Sequence, residues 1–124
     1  MGASIDRMIE DILDSFNHSV EGIRASVVAT SDGLPIASAM REDTDLAMVA
    51  ALGAAIMGSS KSAVTTLRLK EYENTMINAA GGKIVVTAFS MACLIVVLEP
   101  TANTGLVLIA LNDVKKKISQ IIGE

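Results

Sequence analysis

The sequence predicts a small α/β domain in the order helix, two strands, helix, three strands, helix. Three observations carry that expectation. Apolar residues recur at three- and four-residue steps around residues 5–16, 46–67 and 106–122, the spacing that gives a helix one apolar face. Short Val-, Ile- and Ala-rich runs between them are punctuated by Gly- and Pro-containing turn signals. Hydrophobic residues make up 51% of the 124 and charged residues 19%, enough apolar material for the core of a single domain.

The first helix carries the stripe Ile5, Met8, Ile9, Ile12, Leu13 and Phe16, with Ser4 as its predicted N-cap. Asp6, Arg7, Glu10, Asp11 and Asp14 form an acidic outer face. Residues 23–30 read as a strand, Ser31-Asp32-Gly33 as a tight turn and 34–40 as the return strand. Pro35 lacks an N–H, so this second strand should lie at, or begin at, a sheet edge. Residues 72–79 alternate as a half-polar strand, with Glu73, Thr75, Ile77 and Ala79 on one side and Tyr72, Asn74, Met76 and Asn78 on the other. Gly81-Gly82 is the predicted hairpin turn into strand 83–89, and Ser90-Met91-Ala92 connects to 93–98. That last strand is apolar on both faces and so belongs at the centre of the sheet. Pro100 stops it. The final helix, about 105–122, turns Leu106, Val107, Ala110, Leu111, Val114, Ile118, Ile121 and Ile122 inward and Lys115, Lys116 and Gln120 outward. The acidic first helix and this basic last one would then lie side by side on one sheet face.

The middle helix is the most informative segment. Asp43, Thr44 and Asp45 open it, and residues 46–60 contain no charge, about four turns. Leu46, Val49, Ala50, Gly53, Ile56, Met57, Val64 and Leu67 would face a sheet. The other side holds Ala47, Met48, Ala51, Leu52, Ala54, Ala55, Gly58, Ser59 and Ser62, which is small and apolar too. A helix lying on a surface should show water a charged face. The run is short and rich in Gly and Ser for a membrane span, so direct membrane insertion is not expected. A helix covered on two sides remains. The second cover is either the terminal helices or another protein chain, and the small-residue spacing, which lets helix backbones approach, favours another chain.

Several function classes lose support. A net charge of −4 repels phosphate backbones, and aromatics at 2% leave little for stacking bases, so nucleic acid is not an expected partner. Lys115-Lys116-Lys117 reads as a solvated helix face. Residues 1–5 lack a signal-peptide pattern, Asp6 stands where myristoylation needs Ser or Thr, and the lone Cys93 sits in an apolar run. These point to a reducing cytoplasm and a core role for Cys93, and they discount the formal glycosylation triplet Asn17-His18-Ser19. Residues 53–62 imitate a phosphate loop, but Ser59 and Ser60 separate Gly58 from Lys61, inside a helix whose amides are already bonded. His18, the sole histidine, reads as a partner for helix-end carbonyls; with Cys93 alone it makes no zinc site. No catalytic constellation, metal site or cofactor site is expected. Arg24, Arg41 and Arg68 are conceivable arginine fingers, and no spacing singles one out.

Two motifs, Ser31-Asp32-Gly33-Leu34-Pro35-Ile36-Ala37-Ser38 and Glu99-Pro100-Thr101-Ala102-Asn103-Thr104-Gly105-Leu106-Val107, flank the Ala-rich middle helix. With the element order, they resemble the Roadblock/LC7 family over residues 5–122. The resemblance implies an α+β sandwich, a five-stranded antiparallel sheet with the middle helix on one face and the terminal helices on the other. It implies a non-catalytic homodimer or heterodimer joined through the middle helices and third-strand edges, which here are Ala47, Met48, Ala51, Ala54, Ala55, Gly58, Ser59, Ser62, Glu73, Thr75 and Ile77. It also implies a platform for Ras-like small GTPases or an adaptor in motor complexes. Charged or exposed residues flanking the apolar run, Arg41, Glu42, Lys61, Thr65 and Arg68, are the candidate partner contacts. The alternative is a structural or ligand-sensing adaptor of related architecture without a GTPase.

Overall fold

The computed structural model describes residues 2–40, 44–89 and 91–122. Its elements are α1 (Gly2–Ser19), β1 (Ile23–Thr30), β2 (Pro35–Met40), α2 (Leu46–Thr66), β3 (Asn74–Ala79), β4 (Gly82–Phe89), β5 (Ala92–Leu98) and α3 (Thr104–Ile122). The expected order holds. The strands form one sheet in the order β2-β1-β5-β4-β3, with every neighbouring pair antiparallel. β5 is central because both of its faces are apolar: Leu94, Val96 and Leu98 join one core, Cys93 and Ile95 the other. β2 is an edge strand and begins at Pro35, as a residue without an N–H requires.

α1 and α3 pack together over one face. Ile9, Leu13 and Phe16 of α1 and Val107, Leu111, Val114 and Ile118 of α3 bury against Val28, Val85, Leu94 and Val96. The expected stripes are not followed throughout: Ile5, Met8, Leu106 and Ile122 are exposed, while the neighbours Ile9 and Val107 are buried, so Met8 and Leu106 face away from the sheet. α1 starts at Gly2, so Ser4 lies within the helix and does not precede it as a cap. α2 lies alone on the opposite face, over Val27, Ala29, Val86, Cys93 and Ile95. It crosses the sheet at Gly53, where a Cβ would stand 2.0 Å from Cγ1 of Ile95. Only the missing side chain allows that approach.

Other expectations need correction. Ala79 pairs with Gly82, so the hairpin turn is Ala80-Gly81, one residue earlier than expected. Tyr72, expected on the side opposite Thr75, has its hydroxyl 2.6 Å from Thr75 Oγ1. The strand begins only at Asn74, so the alternation does not reach back to Tyr72. Leu67, expected against the sheet, is exposed where α2 ends. Lys115, expected on a solvated face, is half-buried and donates to Thr87 Oγ1 at 3.2 Å.

Polar groups inside the fold are paired. Asn17 is 3% exposed; its Nδ2 donates to the Ala39 carbonyl at 2.8 Å and its Oδ1 accepts from Ser26 Oγ at 2.8 Å. The formal glycosylation nitrogen is thus consumed in tying α1 to β2. His18 Nδ1 lies 2.8 Å from the Asp14 carbonyl, the helix-end role expected of it. Gly33 adopts φ +90 in the β1–β2 turn, where its amide donates to the Thr30 carbonyl at 2.9 Å.

Candidate interaction surface

α2 is fixed at both ends. Asp45 accepts the Met48 amide at 3.1 Å as the N-cap, satisfying one of the four amides a helix start leaves bare. At the other end the Leu69 amide donates to the Val64 carbonyl at 2.9 Å and the Arg68 amide to the Thr65 carbonyl at 3.1 Å. This is a Schellman cap with Arg68 at φ 56, a left-handed position that glycine usually occupies. Between the caps, Ser60 ties α2 to the sheet edge by accepting from Thr75 Oγ1 at 2.6 Å, and the Tyr72 hydroxyl donates to the Val86 carbonyl at 3.0 Å.

Only Ala50, Gly53 and Met57 of this 21-residue helix are fully buried. Ala47, Ala51, Ala55, Gly58, Ser59 and Ser62 are exposed, with Met48 at 58% and Leu52 at 55%. Ala54 is half-buried, beside the β1–β2 turn. The terminal helices sit on the other side of the sheet, so they do not supply the second cover. By length and composition α2 is able to cross a membrane, contrary to the expectation that the segment is too short. Its packing along a sheet, with Gly53 on Ile95, is that of a domain helix.

The third-strand candidates separate. Ile77 is exposed on β3, which pairs only with β4 and leaves its other edge open. Thr75 is half-buried and engaged with Ser60, while Glu73 precedes the strand and is exposed. Lys61, Thr65 and Arg68 are exposed along the last turns of α2. Arg41 and Glu42, with Asp43 and Ser90, lie outside the described residues. Arg24 is held by Glu99, with Nε 2.8 Å from Oε1 and Nη2 3.2 Å from Oε2.

Titration behaviour follows burial. Burial pushes the Cys93 thiol up, outweighing a hydrogen bond with the Ala29 backbone and the Lys61 charge, so it stays a protonated core group. Burial also pushes the Tyr72 phenol up against the opposing hydrogen bonds of Thr75 and Ser60.

The sequence profile of the Roadblock/LC7 domain matches residues 8–99. The chain belongs to the Roadblock/LC7 domain family. Members of the family are regulatory, non-catalytic adaptors. Two uncharacterized proteins of Methanocaldococcus jannaschii are similar over nearly their whole length. MJ1340 is 31% identical over 111 residues, 90% of this chain and 96% of that protein. MJ0714 is 29% identical over 114 residues, 92% and 96%. Among solved structures, a Roadblock/LC7 domain from Streptomyces avermitilis superimposes with a TM-score of 0.87 at 14% identity, covering 93% of this chain and 98% of that one. MglB of Myxococcus xanthus gives 0.86 at 17%, covering 94% and 95%. These two share the Roadblock/LC7 fold with this chain: three helices and a five-stranded antiparallel sheet in the same order. Sequence reasoning missed the tie between Ser60, Thr75 and Tyr72. Its only sequence signal is three hydroxyls spread over two elements, which carries no recognisable period.

Proposed function

We propose that this chain is a non-catalytic cytoplasmic platform that pairs with a second copy through α2 and the β3 edge and binds a Ras-like small GTPase. The observation that carries the reading is the bare face of α2. A capped helix shows water Ala47, Met48, Ala51, Leu52, Ala55 and Gly58 and no charge until Lys61. Burying the exposed parts of Met48 and Leu52 alone favours association by about 2–3 kcal/mol per copy. Family membership supports the regulatory role, and a tetrameric arrangement is known for MglB, a protein of the same fold. A paired-helix face is rigid before docking, so a GTPase would meet it without an ordering cost. Lys61, Thr65 and Arg68 border that face and are the proposed contacts, with Arg41 and Glu42.

Equilibrium sedimentation at micromolar concentration tests the pairing, with twice the chain mass expected. Ala51→Glu should return the monomer, because the carboxylate would be buried without a partner. A parent chain that sediments as a monomer overturns the pairing. Calorimetry against Ras-like GTPases of the source cell, loaded with GDP or a non-hydrolysable GTP analogue, tests the partner. Failure with all of them leaves the second reading, a ligand-sensing adaptor, which a polar cleft of about 610 Å³ beside α3 favours.

A further inference from the structure

The helices α1 and α3 leave part of their sheet face open beside β3, and a cleft of about 610 Å³ lies there, within the size range of small-molecule sites. At its base Lys115 of α3 is half-buried and donates to Thr87 Oγ1 at 3.2 Å. Thr87 is 3% exposed and donates in turn to the Glu73 carbonyl at 2.9 Å. The threonine hydrogen is thus directed at the backbone and its lone pair at the lysine. The ammonium spends one of three N–H bonds, and no carboxylate among the described residues pairs with it. A partly desolvated cation without a counter-charge, held in place by a buried threonine, favours an anion beside it.

The mouth has the opposite sign. Glu71 and Glu73 line the same cleft, both exposed and neither in an ion pair. They repel a polyanion and favour a positive group on the bound molecule. Asn74 and Asn112 add amide groups that can donate and accept. Thr87 links the two ends of the cleft, accepting from Lys115 and donating to the Glu73 backbone.

We propose that this cleft binds a small zwitterion of the amino-acid or dipeptide class, its carboxylate on Lys115 and its ammonium toward Glu71 and Glu73. Lys115, Thr87 and Asn112 belong to the side of the sheet opposite α2, so the site goes beyond the platform reading; Glu73, at the β3 end of the cleft, is the one residue shared with the expected pairing surface. Failure of either leaves the other standing.

The test is amide-shift NMR of the full ¹⁵N-labelled chain, titrated with L-glutamine and with glycylglycine. Acetate, ethylamine and citrate serve as single-charge and polyanion controls. Saturable shifts centred on Thr87, Asn74 and Asn112 are expected with at least one zwitterion. Lys115→Met, which keeps the aliphatic stem, should weaken binding by about tenfold or more, the worth of one charge-assisted hydrogen bond. Glu73→Gln should weaken the zwitterions while strengthening citrate. If Lys115→Met does not fold, Asn112→Leu on the exposed side of α3 replaces it, with a several-fold loss expected. Linear, non-saturating shifts for both zwitterions into the tens of millimolar overturn the proposal. So does unchanged affinity in the variants, or citrate binding more tightly than either zwitterion.

Discussion

Replacing Gly53 with alanine is a sharp test of how α2 crosses the sheet. The new Cβ would lie 2.0 Å from Cγ1 and 2.5 Å from Cδ1 of Ile95, whereas carbon atoms in contact need about 3.5–4.0 Å. Ile95 is 2% exposed and has no room to retreat, so the overpacking cost falls near the top of its usual range, about 3 kcal/mol. Alanine returns about 1 kcal/mol as the better helix former, which leaves a net loss of about 2 kcal/mol. At an m-value of about 1.5 kcal/mol/M the urea midpoint should fall by about 1.3 M. Protein concentration is held fixed, since any self-association shifts the midpoint by mass action. Gly58→Ala is the internal control at concentrations where the chain is a monomer: within one copy its Cβ meets nothing within 4 Å, so the propensity gain stands alone and the midpoint should rise. Combining Gly53→Ala with Ile95→Ala should show a favourable coupling of about 1–3 kcal/mol, because the truncated isoleucine vacates the space that the new methyl enters. A Gly53→Ala midpoint at or above the parent's would mean that α2 does not cross over Ile95.

Asn17→Ala leaves the Ala39 carbonyl and the Ser26 hydroxyl buried without this partner, and should cost about 1–3 kcal/mol by urea melt; Asn17→Asp should not restore the loss, because it cannot donate to Ala39. Arg68→Gly should stabilise the chain by about 1 kcal/mol, since glycine adopts φ 56 without steric cost; a loss would argue against the Schellman cap. Burial raises the Cys93 and Tyr72 values in the folded chain, so an unfolded chain ionises first as pH rises. Urea midpoints should therefore be insensitive to these groups below about pH 9 and fall above it, and Cys93→Ala should delay the fall.

Much of the fold was legible because its punctuation is chemical. β1 occupies 23–30 as expected, since Gly33 at φ +90 permits the turn that ends it and Gly22 at φ +99 precedes it. β5 ends just before Pro100, and its two-sided apolarity placed it at the sheet centre. The α2 surface was legible for a related reason: absence of charge along one helix is a one-dimensional pattern. What failed depended on distant packing. Nothing local says that Leu106 and Ile122 stay exposed, or that the alternation around Tyr72 starts two residues late. The cleft was illegible because Thr87 and Lys115 are 28 residues apart, and a lysine within a basic triplet looks solvated until a buried hydroxyl is found beside it.

The open surfaces on the two sides of the sheet have a common geometric origin. Five strands spaced about 4.8 Å apart make a sheet roughly 19 Å wide, and a helix with its side chains covers about 10 Å. Two helices could cover one face, but α1 is drawn toward β1 and β2 by its apolar stripe and by the Asn17 tie to Ala39, and α3 packs against α1. The shortfall on that face accumulates at β3, where Met76 is left 41% exposed and the Lys115 cleft opens. On the other face α2 is alone and cannot span five strands, so Ile77 is left 36% exposed at the same edge. β3 is thus under-covered above, below and along its free edge. Pairing with a second β3 would satisfy the edge and bring the two α2 helices toward one another, which covers Ile77, yet it would add nothing over Met76 and Lys115. On the two readings proposed above, the same strand would serve two surfaces: a protein contact on the α2 side, and the Lys115 cleft on the α3 side.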